Sequence, residues 1–321
     1  MSSRVRIAVP LLTTIVAVSV AVAAAQPSAP RGTVVAVLTT AVPLNPADLS
    51  QTAVGAFTYA GGVILTSTQT DQLHGLSDLE ITDSDRMTAV TDDAILVTAR
   101  LVLDDGARLT GVTDVRLQPL TGRDGRALGR NEAPDAEGLA VLPNGDRLVS
   151  FERQHRVWLY PARGGAPRPV PLPDVTFPDA NGGMEALSAD PAAGRDAYIV
   201  GAELTGETWS CRISTRCVKG ARVDLGSGMS LVALRRFGKG RTAVLLRGFA
   251  TASGARSSLA IMRAGAVEAQ LELARPLTVD NFEGVAAVER PNGVARFYLV
   301  SDDNGSATQR TLLVAFDWRP R

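Results

Sequence analysis

A chain of 321 residues with 33 basic and 33 acidic side chains carries no net field to collect phosphate backbones, which argues against a nucleic-acid binder. Its 45% hydrophobic and 21% charged content excludes a mainly disordered chain, and its length suits one large domain or two small ones. Only two histidines, His74 and His155, are present, so a histidine-rich zinc centre is excluded and any Ser-His-Asp or Cys-His mechanism must use one of them.

At the N-terminus, Arg4 and Arg6 precede an apolar run from Ile7 to Ala25 that ends in three alanines before Gln26. Positive flank, apolar stretch and small-residue cleavage pattern together predict a signal peptide over residues 1–25. An uncleaved anchor is the alternative, and Pro10 and the small residues near the end weigh against it. The expected product is exported, periplasmic or extracellular, and has no membrane span after cleavage. Residues 26–54 read as a linker and residues 55–321 as one domain.

The body of the chain repeats one pattern: a small or acidic residue, Gly, an apolar alternation, a polar turn, a second apolar run, then a charged cluster. The copies begin at 74, 135, 182, 227 and 280, at steps of 61, 47, 45 and 53 residues. Within them GLAVL and DRLVSF, or GVAAV and RFYLVS, alternate at period two around Pro143-Asn144-Gly145 and Pro291-Asn292-Gly293. That predicts antiparallel hairpins. Further strand-like runs follow at Ile95 to Leu103, Val157 to Tyr160, Ser258 to Arg263 and Thr311 to Trp318. Short strands at this step predict an all-β fold, a β-propeller whose blades have mostly four antiparallel strands. A strand pair over Ala56 to Thr68, joined by C-terminal strands, makes six blades the expected number. No long amphipathic helices are present to support a parallel α/β fold. Cys211 and Cys217 flank a short polar loop and are expected to form a disulfide. Gly164 to Pro178 reads as an exposed loop, and Arg235, Arg236, Lys239 and Arg241 as a solvated hairpin tip. Trp158, Trp209 and Trp318 read as packing residues.

Aligning the copies places Ser77, Glu137, Glu185, Ser230 and Glu283 at one position, and Asp92, Glu152, Glu203, Arg247 and Asp302 at a second. In a propeller the first strand of each blade lines the channel, so two acidic rings are expected to face each other there. Like charges at that separation call for a cation, and hard divalent ions with oxygen ligands, calcium above all, meet the need. Asp135, Asn281, Asp303 and Asn304 add oxygen donors nearby. The alternative is that each carboxylate only binds backbone amides or pairs with Arg153, Arg212 or Arg247.

The run GLSDL…TAVTDD, then LTGVTDVRLQPLTGRDGRAL, DAEGLAVLPNGDRLVSFERQHRVWLY and NFEGVAAVE…FYLVSDDN, is similar to the bacterial phytase-like domain, the "esterase-like activity of phytase" family. The likeness extends from about Ala56 to Trp318. It implies kinship with calcium-dependent β-propeller phytases, which hydrolyse phosphomonoesters in an acidic channel. One departure is His74-Gly75-Leu76, where such sequences more often resemble Gly-Gly-Leu, and it gives His74 a place at the channel mouth. On that reading Asp92, Asp135, Glu137, Glu152, Glu185, Glu203, Glu283, Asp302 and Asp303 are candidate calcium ligands. Glu137 and Glu283 are also candidate bases, and Arg153 a catalytic grip on phosphate. Arg156, Arg247 and His74 are candidate substrate contacts, and the substrate is a small phosphoester or other ester acted on by a monomer. An esterase reading needs a serine nucleophile: Gly75-Leu76-Ser77-Asp78-Leu79 lacks the last glycine of the nucleophile elbow, leaving Ser77 with His155. A non-catalytic binding propeller is the remaining alternative.

Overall fold

Alternating apolar residues and frequent turn glycines commit the chain to strands, and among the described residues the computed structural model contains no helix. It describes residues 32–129, 133–177, 179–251 and 254–320, so the expected leader lies outside the described residues. Blade one is β5 (Leu76–Thr82), β6 (Arg86–Thr91), β7 (Ile95–Leu103) and β8 (Leu109–Pro119). Blade two is β9 (Ala136–Val141), β10 (Arg147–Phe151), β11 (Arg156–Tyr160) and β12 (Arg168–Pro169). Blade three is β13 (Ala186–Ala189), β14 (Ala197–Gly201), β15 (Thr208–Arg212) and β16 (Cys217–Lys219). Blade four is β17 (Ser230–Phe237), β18 (Arg241–Ala250), β19 (Gly254–Arg263) and β20 (Ala266–Ala274). Each is an antiparallel meander.

Blade five corrects the expected blade number. Its first three strands are β21 (Asn281–Glu289), β22 (Ala295–Asp302) and β23 (Leu312–Trp318), and its fourth comes from the other end of the chain: β4 (Phe57–Thr66) pairs antiparallel with β23. The Ala56 to Thr68 segment therefore completes the fifth blade and founds no sixth. The physical reason is that β23 would otherwise present an unpaired edge, which a strand from the N-terminal side covers. Residues 33–54, read as linker, carry β1 (Thr33–Val34), β2 (Leu38–Ala41) and β3 (Ala53–Val54), which pair with β8 or β4 on the outside of the wheel. Cys211 and Cys217 face each other across β15 and β16 and are disulfide-bonded.

The apolar core lies between blades rather than inside any one of them. Val90, Leu96, Leu139 and Phe151 join blades one and two; Leu148, Leu159, Leu187 and Tyr198 join two and three. Ala186, Leu231 and Val244 join three and four, and Val232, Leu245, Phe282 and Phe297 join four and five. Leu79, Val97, Tyr298 and Val300 join five back to one, so the first strands contact one another in a closed ring. That is the arrangement of a propeller. With five blades the hub is narrow, and small residues let the first strands meet. A Cβ on Gly138 would stand 2.5 Å from the Glu185 carbonyl oxygen, and one on Gly284 would stand 2.7 Å from the Asp78 Cα. Both glycines follow a glutamate, Glu137 or Glu283, so the repeated Glu-Gly pair sets an acid beside each tight approach.

Beneath the mouth the hub is closed by a buried ion cluster around Arg235, one of the residues expected at a solvated hairpin tip. Arg235 on β17, 2% exposed, is no hairpin tip. Its Nη2 donates to Asp78 Oδ1 and Oδ2 at 3.1 and 3.0 Å and to Leu79 O at 2.9 Å; its Nη1 donates to Glu80 and to Leu139 O. Its Nε donates to Val285 O at 2.9 Å. One guanidinium thus ties blade four to blades one, two and five. Arg241, from the same supposed tip, is also buried and donates to Glu268 at 2.6 Å. The Lys239 end of that hairpin is exposed. Charges are tolerated at a propeller hub because first strands converge there with carbonyls and carboxylates from several blades to satisfy them.

Candidate functional site

Each blade delivers the end of its second strand to one face of the wheel. Asp92 N donates to Gly75 O at 2.9 Å, Glu152 N to Asp135 O at 2.8 Å and Glu203 N to Gly183 O at 3.0 Å. Ser230 is in register with Arg247, and Asn281 with Asp302. Asp92, Glu152, Glu203, Arg247 and Asp302 therefore occupy one equivalent position. The other aligned set does so except at Ser230. Glu137 and Glu283 sit in β-bulges of β9 and β21, and Ser77 in that of β5, but the matching bulge in blade four holds Val232. Glu185 stands two residues after Gly183, the partner of Glu203, as Glu137 stands two after Asp135 and Ser77 two after Gly75, whereas Ser230 lies two residues too early, opposite Arg247 itself. A bulge adds a residue without leaving a mark in the hydrophobic pattern, which is why alignment by pattern slipped.

Arg247 is the cation at the centre. Its Nη1 donates to Glu283 Oε1 at 2.5 Å and to Asn281 Oδ1 at 3.0 Å. Its Nη2 lies 3.3 Å from Glu203 Oε1 and 4.0 Å from Glu185 Oε1. Asn281 Nδ2 also donates to Glu283 Oε1 at 2.6 Å. Burial opposes the Arg247 charge, and Glu283, Glu185 and Glu203 more than offset it, holding its pKa above the usual guanidinium value. One cation does not neutralise this set. Burial pushes Glu283 up to about 7 even though Arg247 pulls it down, with Asp302 adding to the rise. Burial, then Glu283, Glu152 and Asp135, hold Glu137 well above the usual carboxylate range. Glu185 is raised by burial and by Glu203 in the same sense.

Two groups of carboxylates converge closely enough for an ion. Asp135, Glu137 and Glu152 form one, and Glu152, Glu185 and Glu203 form the other; in each, one ligand atom per residue lies within 4.8 Å of the rest. Glu152 belongs to both and spans blades two and three: its Oε1 accepts a bond from Gly183 N at 2.8 Å, and burial lifts its pKa to about 7. Glu185 Oε2 is buried with no hydrogen-bond partner. A buried carboxylate with one oxygen unpartnered, in a group with two further carboxylates, is costly by itself, and the all-oxygen donor set fits a hard divalent cation such as calcium.

The other named residues fall outside these groups. Asp92 and Asp302 stand at the seam of blades one and five with His74; burial, then Asp302 and Asp93, lift Asp92 to about 6, and Asp302 is raised as well. Asp303 is held by Gly75 N, Gly305 N and the Thr311 hydroxyl at 3.2, 3.1 and 2.6 Å, both of its oxygens serving the loop. Arg153 keeps its Nε on Asp135 Oδ2 at 2.5 Å, and its side chain is 61% exposed. Arg156 donates to Gln154 O and Ala133 O, each at 2.9 Å, and lies 4.0 Å above the Phe151 ring. Arg212 pairs with Asp196 on the outer part of blade three, away from the mouth. Ser77 donates to Gly75 O at 3.3 Å and His155 Nε2 faces Asp179 O at 3.2 Å, so the two do not form a nucleophilic pair. A cavity of about 1210 Å³ lies on the mouth side between blades four and five, lined by Arg247, Asn281, Arg275 and Arg310.

Residues 71–305 match the family model described as phytase-like, esterase-like activity of phytase. The chain belongs to that family. The phytase-like match takes in every acidic residue of the mouth but stops short of β4 and β23, the strands that close the wheel. No curated protein sequence matches the chain. Among solved structures, a putative gluconolactonase is 12% identical over 81% of this chain and 82% of its own, with a TM-score of 0.45. Virginiamycin B lyase from Staphylococcus aureus is 10% identical over 82% of this chain and 99% of its own, at 0.42. A Bacteroides caccae protein of unknown function is 9% identical over 85% and 84%, at 0.41.

Proposed function

We propose that this phytase-like chain is a calcium-dependent hydrolase of small phosphoesters, working as an exported monomer with its reaction centre at the Glu152–Glu185–Glu203 edge of the mouth. The observation that carries this reading is the buried, unpartnered Glu185 Oε2 set against two further carboxylates. Glu152, Glu185 and Glu203 would hold the ion, with Asp135 and Glu137 alongside. A bound divalent cation supplies charge neutralisation for the phosphate and a lowered pKa for an attacking water. The remaining roles belong to the chain. Arg153, exposed at the rim and held by Asp135 through Nε alone, presents its terminal nitrogens to a phosphate oxygen. Glu137, whose pKa burial and its acidic neighbours hold well above the usual carboxylate range, would move a proton to or from the reacting oxygen. Glu283 and Arg247 hold each other and set the shape of the cluster; Arg156 braces the loop that carries Arg153. The family membership and the disulfide support export, and no helix among the described residues is long and apolar enough to cross a membrane.

The test is thermal denaturation of chelator-stripped protein with and without calcium, followed by turnover of p-nitrophenyl phosphate and p-nitrophenyl acetate in both conditions. Calcium is expected to raise the melting temperature and to be needed for phosphate release. No melting shift and no turnover of either ester would remove this reading; calcium binding with no turnover would leave a binding propeller.

A further inference from the structure

The blade one side of the mouth ends in a donor set of different chemistry. His74 precedes β5, and Asp92 and Asp93 follow β6, so the three stand on adjoining chains of one hairpin. The bond from Asp92 N to Gly75 O holds those chains level. Gly75 has φ +60°, where a side chain is strained, and a Cβ on it would displace the Asp92 carboxylate from its place beside the chain. One ligand atom from each of His74, Asp92 and Asp93 lies within 4.8 Å of the others. His74 Nε2 is 3.4 Å from Asp93 Oδ2. Ligands about 2.0–2.1 Å from a tetrahedral ion stand about 3.4 Å apart, the same spacing. The imidazole is otherwise idle: it makes no hydrogen bond among the described residues, and its Nδ1 is buried without a partner.

We propose that His74, Asp92 and Asp93 form a second cation site that takes a borderline divalent transition ion of the zinc class. A nitrogen donor distinguishes it from the all-oxygen group of blades two and three, because imidazole suits zinc and cobalt whereas calcium selects oxygen. Asp93 is largely exposed, which opens the site to solvent and leaves room for a further ligand. Asp302, beside Asp92, adds negative charge from blade five, with its Oδ1 already taken by Asn304 N at 2.6 Å. A zinc ion here ties the chain entering β5 to the chain leaving β6. The inference does not depend on the hydrolase reading.

The chain has two histidines, which makes the test direct. Zinc is titrated into the chelator-stripped full chain in saturating calcium, and the imidazole proton resonances are followed by NMR; His74→Ala assigns them. At one equivalent of zinc the His74 signals are expected to move while those of His155 stay. Zinc affinity measured by calorimetry should fall at least tenfold in His74→Ala and in Asp93→Asn, with calcium affinity unchanged. Cobalt should give visible absorption bands of a low-coordinate nitrogen site that both substitutions remove. If His74→Ala does not fold, His74→Gln and Asp93→Asn carry the same comparison. Unmoved His74 signals at stoichiometric zinc, or equal zinc affinity in the substituted chains, would overturn the proposal.

Discussion

Raising the pH in the absence of divalent cations should weaken this fold, and the size of the effect follows from the mouth. Glu152 and Glu283 titrate near 7 in the folded chain, against 4.5 for an ordinary glutamate. A carboxyl whose folded pKa lies above its unfolded value keeps a proton that the unfolded chain releases. Its stabilising contribution is therefore complete below about pH 4.5 and disappears as pH rises through about 7. At ~1.4 kcal/mol per pKa unit, the difference amounts to roughly 3 kcal/mol for each group. The two belong to one interacting cluster, so their effects do not simply add, and a combined loss of about 3–6 kcal/mol between pH 5 and 8 is expected. That is a large part of the ~5–15 kcal/mol that holds a typical domain. The surface carboxyls Asp48, Asp196, Glu207 and Glu268 are shifted downward, and their stabilisation is already complete above the usual carboxylate range. The assay is urea denaturation in EDTA across pH 5 to 8, followed by the fluorescence of Trp158, Trp209 and Trp318, then repeated in calcium. Calcium should flatten the slope by favouring the ionised carboxylates. Stability in EDTA that is level or rises over this interval would refute the account of the mouth.

Three substitutions probe the parts separately. Glu185→Gln removes the orphaned oxygen and one buried charge, so the chelated protein should gain stability at pH 8 while its calcium affinity drops at least tenfold by calorimetry; unchanged affinity would move the ion elsewhere. Arg235→Met strands Asp78 and Glu80 in the hub and should cost about 3–5 kcal/mol in denaturant unfolding, and a loss under 1 kcal/mol would contradict the cluster's role as a four-blade tie. Gly138→Ala drives a Cβ against the Glu185 carbonyl oxygen at 2.5 Å and should lower stability by about 1–3 kcal/mol, with calcium affinity falling as well because Glu185 is displaced.

The sequence by itself determined strand, turn and acid placement, because each is local. Period-two alternation and Pro-Asn-Gly turns fix hairpins, and the recurrence of a charged residue after each second strand places Asp92, Glu152, Glu203, Arg247 and Asp302 level with one another. Closure was decided by tertiary structure. Whether the Phe57–Thr66 run founds a sixth blade or finishes the fifth depends on which free edge it meets, and β23 offers an edge that no local signal announces. The same holds for charge. LSDLEIT on β5 and LVALRRF on β17 interrupt apolar strands with opposite charges, a signal that could have been read, yet their partnership spans more than 150 residues of chain. Bulges, too, escape a pattern reading: they give Glu283 and Val232 matching places in blades five and four, so Ser230, aligned with the acids by pattern, falls opposite Arg247 instead. A side chain's neighbours along the chain set its strand; its neighbours across the wheel set its charge state and what it can bind.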